Sequence, residues 1–184
     1  DLYFIATNDD SIEQVAAFDK LKNKFVVHTS GSVDMNILQK NSDKYAVFYP
    51  LQTFRKDKNV DFTEIPIFLE ASDTKSFNLL KSIAEKLSRS VYELNSSQRM
   101  SLHIAAVFTN NFVNHLIFIT QKLCNDNNIP KEILKPLINK TFDGVLNKNI
   151  YENQTGPARR ADLEVIKKHL KILSGYNANY TKIY

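Results

Sequence analysis

The stretch from Ser96 to Asn125, SSQRMSLHIAAVFTNNFVNHLIFITQKLCN, restricts what this chain can become more than any other. It holds no Gly or Pro, and Leu102, Ala105, Ala106, Phe112, Leu116, Ile119 and Leu123 recur at intervals of three and four. That period belongs to a helix, here of about eight turns, well above the usual length in globular proteins. Polar residues are set into the pattern: Arg99, His103, Asn110, Asn111, Asn114 and His115. On a helix His103, Val107, Asn110 and Asn114 share one stripe, with Asn111 and His115 on its flank. Such groups must bond to neighbours, stay hydrated or face a ligand.

The 184 residues, 43% of them hydrophobic, suffice for one large core or two modest ones. Four Gly and five Pro indicate an ordered chain. A net charge of +4, from 24 Lys+Arg against 20 Asp+Glu spread without a basic block, gives mild attraction to anions and no case for nucleic acid. Cys124 is the only cysteine, which excludes an internal disulfide framework and a Cys-based zinc site. Histidines 28, 103, 115 and 169 are scattered without a carboxylate cluster, so no metal site is expected. No run reaches ~18 consecutive apolar residues and no signal-peptide pattern appears, so the expectation is a cytoplasmic protein without a membrane partner. The chain enters a strand directly after Asp1, without Met, and reads as part of a longer protein.

Residues 2–7 form an apolar run, expected as a strand buried on both faces, ending in Thr7-Asn8-Asp9-Asp10. Asp9, Asp10 or Ser11 would cap a helix over 11–19 whose Ile12, Val15, Ala16 and Phe18 face the sheet. Strand 24–28 ends at His28-Thr29-Ser30-Gly31, and a short helix over 33–40 follows. Strand 45–49 stops at Pro50-Leu51-Gln52-Thr53. Strand 66–70, an amphipathic helix 74–88 capped by Ser72 or Asp73, and strand 90–94 complete the first half. Strands alternating with helices give an α/β, mainly parallel sheet, in which ligands sit at the carboxyl ends of strands. The polar clusters fall at those ends. The four glycines, Gly31, Gly144, Gly156 and Gly175, make no G-x-G-x-x-G phosphate loop.

After the long helix, Pro130 opens a helix over 131–139 that accommodates Pro136 only with a kink or break. Helix-like residues 140–148 lead to Thr155-Gly156-Pro157, a turn, and to a last helix over 158–173 ending before Ser174-Gly175. Gly156 allows close backbone approach, Arg160 can hold a carboxylate or phosphate in a fork, and Asp162 can orient that guanidinium. An internal Arg–Asp pair at a helix start explains the same residues. The tail 176–184 is polar and aromatic, expected to fray or to cover a partner surface.

Five short stretches in order carry a resemblance: residues 6–12 (ATNDDSI), 28–31 (HTSG), 50–54 (PLQTF), 99–107 (RMSLHIAAV) with Asn111-Phe112, and 155–162 (TGPARRAD). Together they resemble a family of NADP-dependent oxidoreductases that joins a Rossmann-like domain to a C-terminal helical domain of uncharacterised function, similar to the 6-phosphogluconate dehydrogenase C-terminal domain. The wider likeness is to pyrroline-carboxylate, ketopantoate and hydroxyacid reductases, which place a nicotinamide between two domains. The resemblance implies a partial Rossmann-like domain over 1–94 and an all-helical substrate and dimerisation domain over 95–184. It places the family's opening β-α-β unit, with its phosphate loop, upstream of Asp1. Tyr49 stands where the family usually shows a His before Pro-Leu-Gln.

On that resemblance the cofactor is NADP. Thr7, Asn8 and Asp9 would meet its ribose side, His28, Ser30 and Gly31 would approach the nicotinamide, and Gln52 would also bind the cofactor. His103 and Asn111 would be catalytic, one exchanging the substrate proton and the other bonding a carbonyl oxygen. Thr155, Gly156, Arg160 and Asp162 would bind substrate. The function implied is hydride transfer between NADP(H) and a small carbonyl, imine or hydroxy compound. The alternatives are a non-catalytic dinucleotide- or metabolite-binding module and a scaffold whose helical half forms a homodimer.

Overall fold

The computed structural model describes every residue except Lys56 and 148–153. Its five-stranded sheet has the order β1 (Leu2–Ile5), β2 (Phe25–His28), β3 (Tyr45–Pro50), β4 (Ile67–Ala71), β5 (Val91–Glu93). The pairs β1–β2, β2–β3 and β4–β5 are parallel, but β4 runs antiparallel to β3, with Tyr49 opposite Phe68 and Val47 opposite Glu70. The polar connection 51–66 carries the chain back along β3, so the sheet is mixed. The architecture is α/β and Rossmann-like.

Side-chain alternation divides this sheet into two cores. Val26, Tyr45, Val47 and Tyr49 join Ile5, Ile12, Met35 and Leu38 on one face. Phe25, Val27, Ala46, Phe48, Ile67 and Leu69 pack on the other face against Leu80 and Ala84 of α2 (Thr74–Leu87). Asp73 caps α2 by accepting the Ser76 N–H at 2.9 Å. The helix expected over 11–19 is shorter: a 3₁₀ turn, Asp9–Ser11, leads into α1 (Ile12–Ala16), and Phe18 is exposed instead of facing the sheet. The helix expected over 33–40 is a 3₁₀ turn, Met35–Leu38, capped by Asp34. In both connections a full helix is longer than the short crossover requires. Nor is β1 covered on both faces: it ends the described sheet, with Tyr3 and Phe4 exposed and Ile5 buried.

The long helix forms as expected, but not as one regular helix. It comprises α3 (Ser96–Ala106), a π-helical segment Val107–Phe112, and α4 (Val113–Asp126). A capping box opens it: Asn95 accepts from the Gln98 N–H at 2.9 Å, and the Gln98 side chain accepts from the Asn95 N–H at 3.0 Å. By length and composition this run is sufficient to cross a membrane. Its first turns are nevertheless anchored to the sheet by Arg99, which is 1% exposed and lies 2.7 Å from Glu70 of β4. Several of its apolar positions, including Phe112 and Leu116, are exposed.

The chain forms two compact units, Asp1–Phe118 and Ile119–Tyr184. In the second, a 3₁₀ turn Lys131–Leu134 leads into α5 (Lys135–Asn147), placing Pro136 in the first helical turn, where its missing N–H costs nothing. The expected end of that helical stretch at residue 148 lies outside the described residues. The single helix expected over 158–173 is two, α6 (Pro157–Arg160) and α7 (Leu163–Tyr176), broken where Ala161 takes a left-handed φ of 56°. Gly175 does not stop α7. The tail is ordered as α8 (Ala178–Ile183), capped by Asn177, and its Tyr180 is buried with Ile119 and Leu173.

Candidate functional site

The strand parity that builds the first core also aims the polar residues. His28, Val47, Tyr49, Phe68 and Glu70 alternate onto one face of the sheet. Arg99 locks α3 onto that face. Its guanidinium donates to Glu70 Oε2 at 2.7 Å, to the Ser30 carbonyl at 3.2 Å and to the Val33 carbonyl. Glu70 also accepts from the Ser96 N–H (2.9 Å) and hydroxyl (2.8 Å) at the start of α3. The buried cation therefore has a counterion and several acceptors, the condition under which such a group is tolerated. It fixes the β2 loop, β4 and α3 against one another.

One turn further along α3, His103 reaches the end of β3. The Tyr49 hydroxyl and His103 Nδ1 are hydrogen-bonded at 3.2 Å, with the rings edge to face. Gly31 lies directly against this pair. A Cβ there would stand 2.7 Å from both His103 Nδ1 and Tyr49 Cζ, so only a glycine lets the loop pass. Beside the pair is a cavity of about 400 Å³, lined by Tyr49, Leu51, Gln52 and Thr53 on one side. Opposite are residues of α3 and the π segment, among them His103, Val107, Asn110 and Asn111. The π segment widens the helix here, shifting Asn110 and Asn111 toward the cavity, a distortion that recurs at functional sites. The Asn110 amide donates to Thr53 Oγ1 at 2.6 Å and ties the segment to the end of β3.

His28 is fully buried beneath this site. Its Nδ1 accepts the Ser30 N–H at 3.2 Å, leaving Nε2 as the ring's N–H, without a partner among the described residues. Burial, helped by the Arg99 charge, pushes its pKa down to about 4, so the ring is neutral at pH 7. Burial also pushes the Tyr49 phenol up from its ordinary value, opposed by Arg99.

The expected residues divide among three groups. Tyr49 contacts are shared by Gly31 and His103, and Gln52 and Asn111 line the same cavity. Ser30 accepts the Ser32 and Val33 N–H groups at 3.0 Å, shaping the β2 loop, while Asp9 accepts from the Ser32 hydroxyl and joins that loop to the end of β1. Thr7 and Asn8 are exposed beside it. Thr155, Gly156, Arg160 and Asp162 belong to the second unit, where Gly156 has φ 101° and Asp162 Oδ2 sits 3.0 Å from Arg160 Nε and 2.9 Å from Nη2. Neither Tyr49 nor Thr53 is among the expected site residues. Their position at the carboxyl end of a buried strand was the available signal for both.

The cavity suits the nicotinamide end of a dinucleotide. Its volume fits a ring and a small substrate, its walls are partly apolar, and the Asn110, Asn111 and Thr53 groups can bond a carboxamide or carbonyl. No curated protein matches the sequence. A solved structure from Bacteroides fragilis, of a protein whose name proposes an NADP oxidoreductase, shares 41% identity over the whole chain and 71% of its own length, with a TM-score of 0.89. Protein TM1727 of Thermotoga maritima shares the fold at 22% identity and TM-score 0.71, over 97% of this chain and 73% of that one. An imine reductase from Myxococcus stipitatus, solved with NADP+, shares it at 12% identity and TM-score 0.62, over 100% and 71%. The model of the domain of unknown function DUF2520 matches residues 65–184. The chain is thus a member of the DUF2520 family, NADP oxidoreductase-like proteins that join a Rossmann-like sheet to a helical domain.

Proposed function

We propose that this protein transfers hydride between NADP(H) and a small carbonyl, imine or hydroxy substrate in the cavity beside Tyr49, His103 and Asn111. The observation that carries the reading is the placement of that cavity. It opens where β3 ends and is faced by a widened helix that brings an imidazole, two amides and a hydroxyl to a partly apolar pocket. Bound NADP(H) would supply the hydride chemistry.

The chain's own residues position and polarise. Thr7, Asn8 and Asp9 would hold the ribose side, with Ser30, Gly31 and Gln52 shaping the nicotinamide pocket. His28, enclosed under the β2 loop, holds that loop through Nδ1. Asn111 would bond the substrate oxygen, and His103 would serve proton exchange. Thr155, Gly156, Arg160 and Asp162 are the proposed grip on an anionic substrate group. A homodimer through the helical part is also proposed, on the exposed Phe108, Phe112, Leu116 and Phe118.

Calorimetry of the intact protein with NADPH and NADH tests the reading. Saturable binding of NADPH, tighter than that of NADH, is expected. Absence of binding at millimolar concentrations of both overturns it. Binding without hydride transfer to any carbonyl or imine favours the non-catalytic module instead.

A further inference from the structure

We infer that the Tyr49 hydroxyl is the proton donor of this site and that His103, bonded to it through Nδ1, resupplies that proton. The inference rests on the oxidoreductase reading above. Its first support is convergence. Residues from β3, the β2 loop and α3 meet at one hydrogen bond, Tyr49 Oη to His103 Nδ1 at 3.2 Å, and both side chains line the cavity. Gly31 makes the meeting possible, since any side chain at that position would strike both rings. A contact that needs a glycine, a distant histidine and a tyrosine at the end of a buried strand is tightly built.

The second support is electrostatic. Burial keeps the phenol protonated at rest, as a donor must be. The Arg99 charge, held by Glu70 and 1% exposed, favours the phenolate once the proton has left. The imidazole bonded to the same oxygen stabilises that charge further and can neutralise it.

In the reducing direction, bound NADPH would supply a hydride to the substrate carbon, and the C=O or C=N π pair would move to the heteroatom. That heteroatom takes the proton as the Tyr49 O–H bond breaks. The Nδ1 proton of an imidazolium His103 then moves to the phenolate oxygen, and the neutral imidazole regains a proton from water. One hydride and one proton are added, and the nicotinamide is oxidised. Oxidation of a hydroxy substrate runs the same path in reverse.

Two readouts on the intact protein test this. The first is the ¹⁵N-histidine spectrum of wild type and Tyr49→Phe. The His103 Nδ1 signal should move when the hydroxyl bonded to it is removed, and identical spectra overturn the proposal. The second is kinetic, with saturating NADPH and with glyoxylate and 1-pyrroline as carbonyl and imine probes. Tyr49→Phe should lower kcat about 100-fold or more with KM changed less than about threefold, and His103→Gln should cost about tenfold. A Tyr49→Phe enzyme with wild-type kcat, or a His103→Gln loss larger than the Tyr49→Phe loss, overturns the assignment and makes His103 the direct donor. NADPH calorimetry separates the two levels. A wild-type protein that does not bind NADPH overturns the oxidoreductase reading and the donor role with it. Binding accompanied by an unimpaired Tyr49→Phe variant overturns the donor role alone.

Discussion

β2 is buried at all four of its positions and β3 at the first five of its six. Among the described residues of Ile119–Tyr184, by contrast, the buried apolar side chains are Ile119, Cys124, Leu173 and Tyr180. Ile133, Leu137, Phe142, Leu163 and Ile172 of that unit are exposed. The difference follows from geometry. A sheet alternates its side chains onto two faces, and each face here has helices or 3₁₀ turns to close it. Short amphipathic helices bury one stripe each and leave the other apolar residues outside. The sheet-bearing unit therefore carries its own two cores and can hold a buried ion pair and a neutral buried histidine. Among its described residues the helical unit has one thin core.

The sharpest way to break this comparison is to remove the cation that joins α3 to the sheet. Arg99→Ala leaves Glu70 without its buried partner and should cost about 3–5 kcal/mol in urea unfolding, enough to populate unfolded chain at 25 °C. A loss below about 1 kcal/mol would show that the pair is solvated and that the unit has no closed anchor there. Next in size is Leu80→Ala, a fully buried position on α2, with an expected cost of about 4 kcal/mol by the same measurement.

Acid tests the interior from another side. His28 titrates near 4 in the folded chain, below the ordinary value of 6.5 that it regains on unfolding. Between those limits the unfolded state binds a proton that the folded state refuses. The stability is therefore fully present above about pH 6.5 and is lost as pH falls toward 4, by on the order of 3 kcal/mol in all. Urea midpoints at pH 7.5, 5.5 and 4.5 should show this slope for the wild type, and His28→Asn should flatten it. Smallest is Leu173→Ala in the helical unit, expected at about 2 kcal/mol because the thin core relaxes around the gap. A Leu173 cost equal to that of Leu80 would erase the contrast between the units.

Much of this was legible in the chain. Apolar runs ending in polar clusters located β2, β3 and β4, and Asp73 marked the start of α2, because burial and capping are local and periodic. The direction of β4 was not, since it depends on where a polar loop of ordinary composition leads the chain. Residues 33–40 and 11–19 have helical composition, yet fold partly as 3₁₀ turns because the strands they connect are close. The break at Ala161 has no Gly or Pro to announce it; Asp162, at the start of α7, pairs with Arg160 across it. His103 was legible from its stripe, but the π segment and the partner Tyr49 were not. A widened turn has no signature in a 3.6-residue pattern, and the Tyr49–His103 contact needs the parity of β3 together with a glycine in the β2–β3 connection.

The nicotinamide is proposed to bind at the ends of β2 and β3, against α3 and the π segment. The most direct measurement is the ¹⁵N-histidine spectrum of the intact protein with and without NADP⁺, because the four histidines report from different places. The His103 signals should move strongly and those of His28 modestly, while those of His115 and His169, both exposed and outside the cavity, stay in place. Signals of His115 or His169 that shift while those of His103 and His28 remain still would place the nicotinamide away from the β3 end.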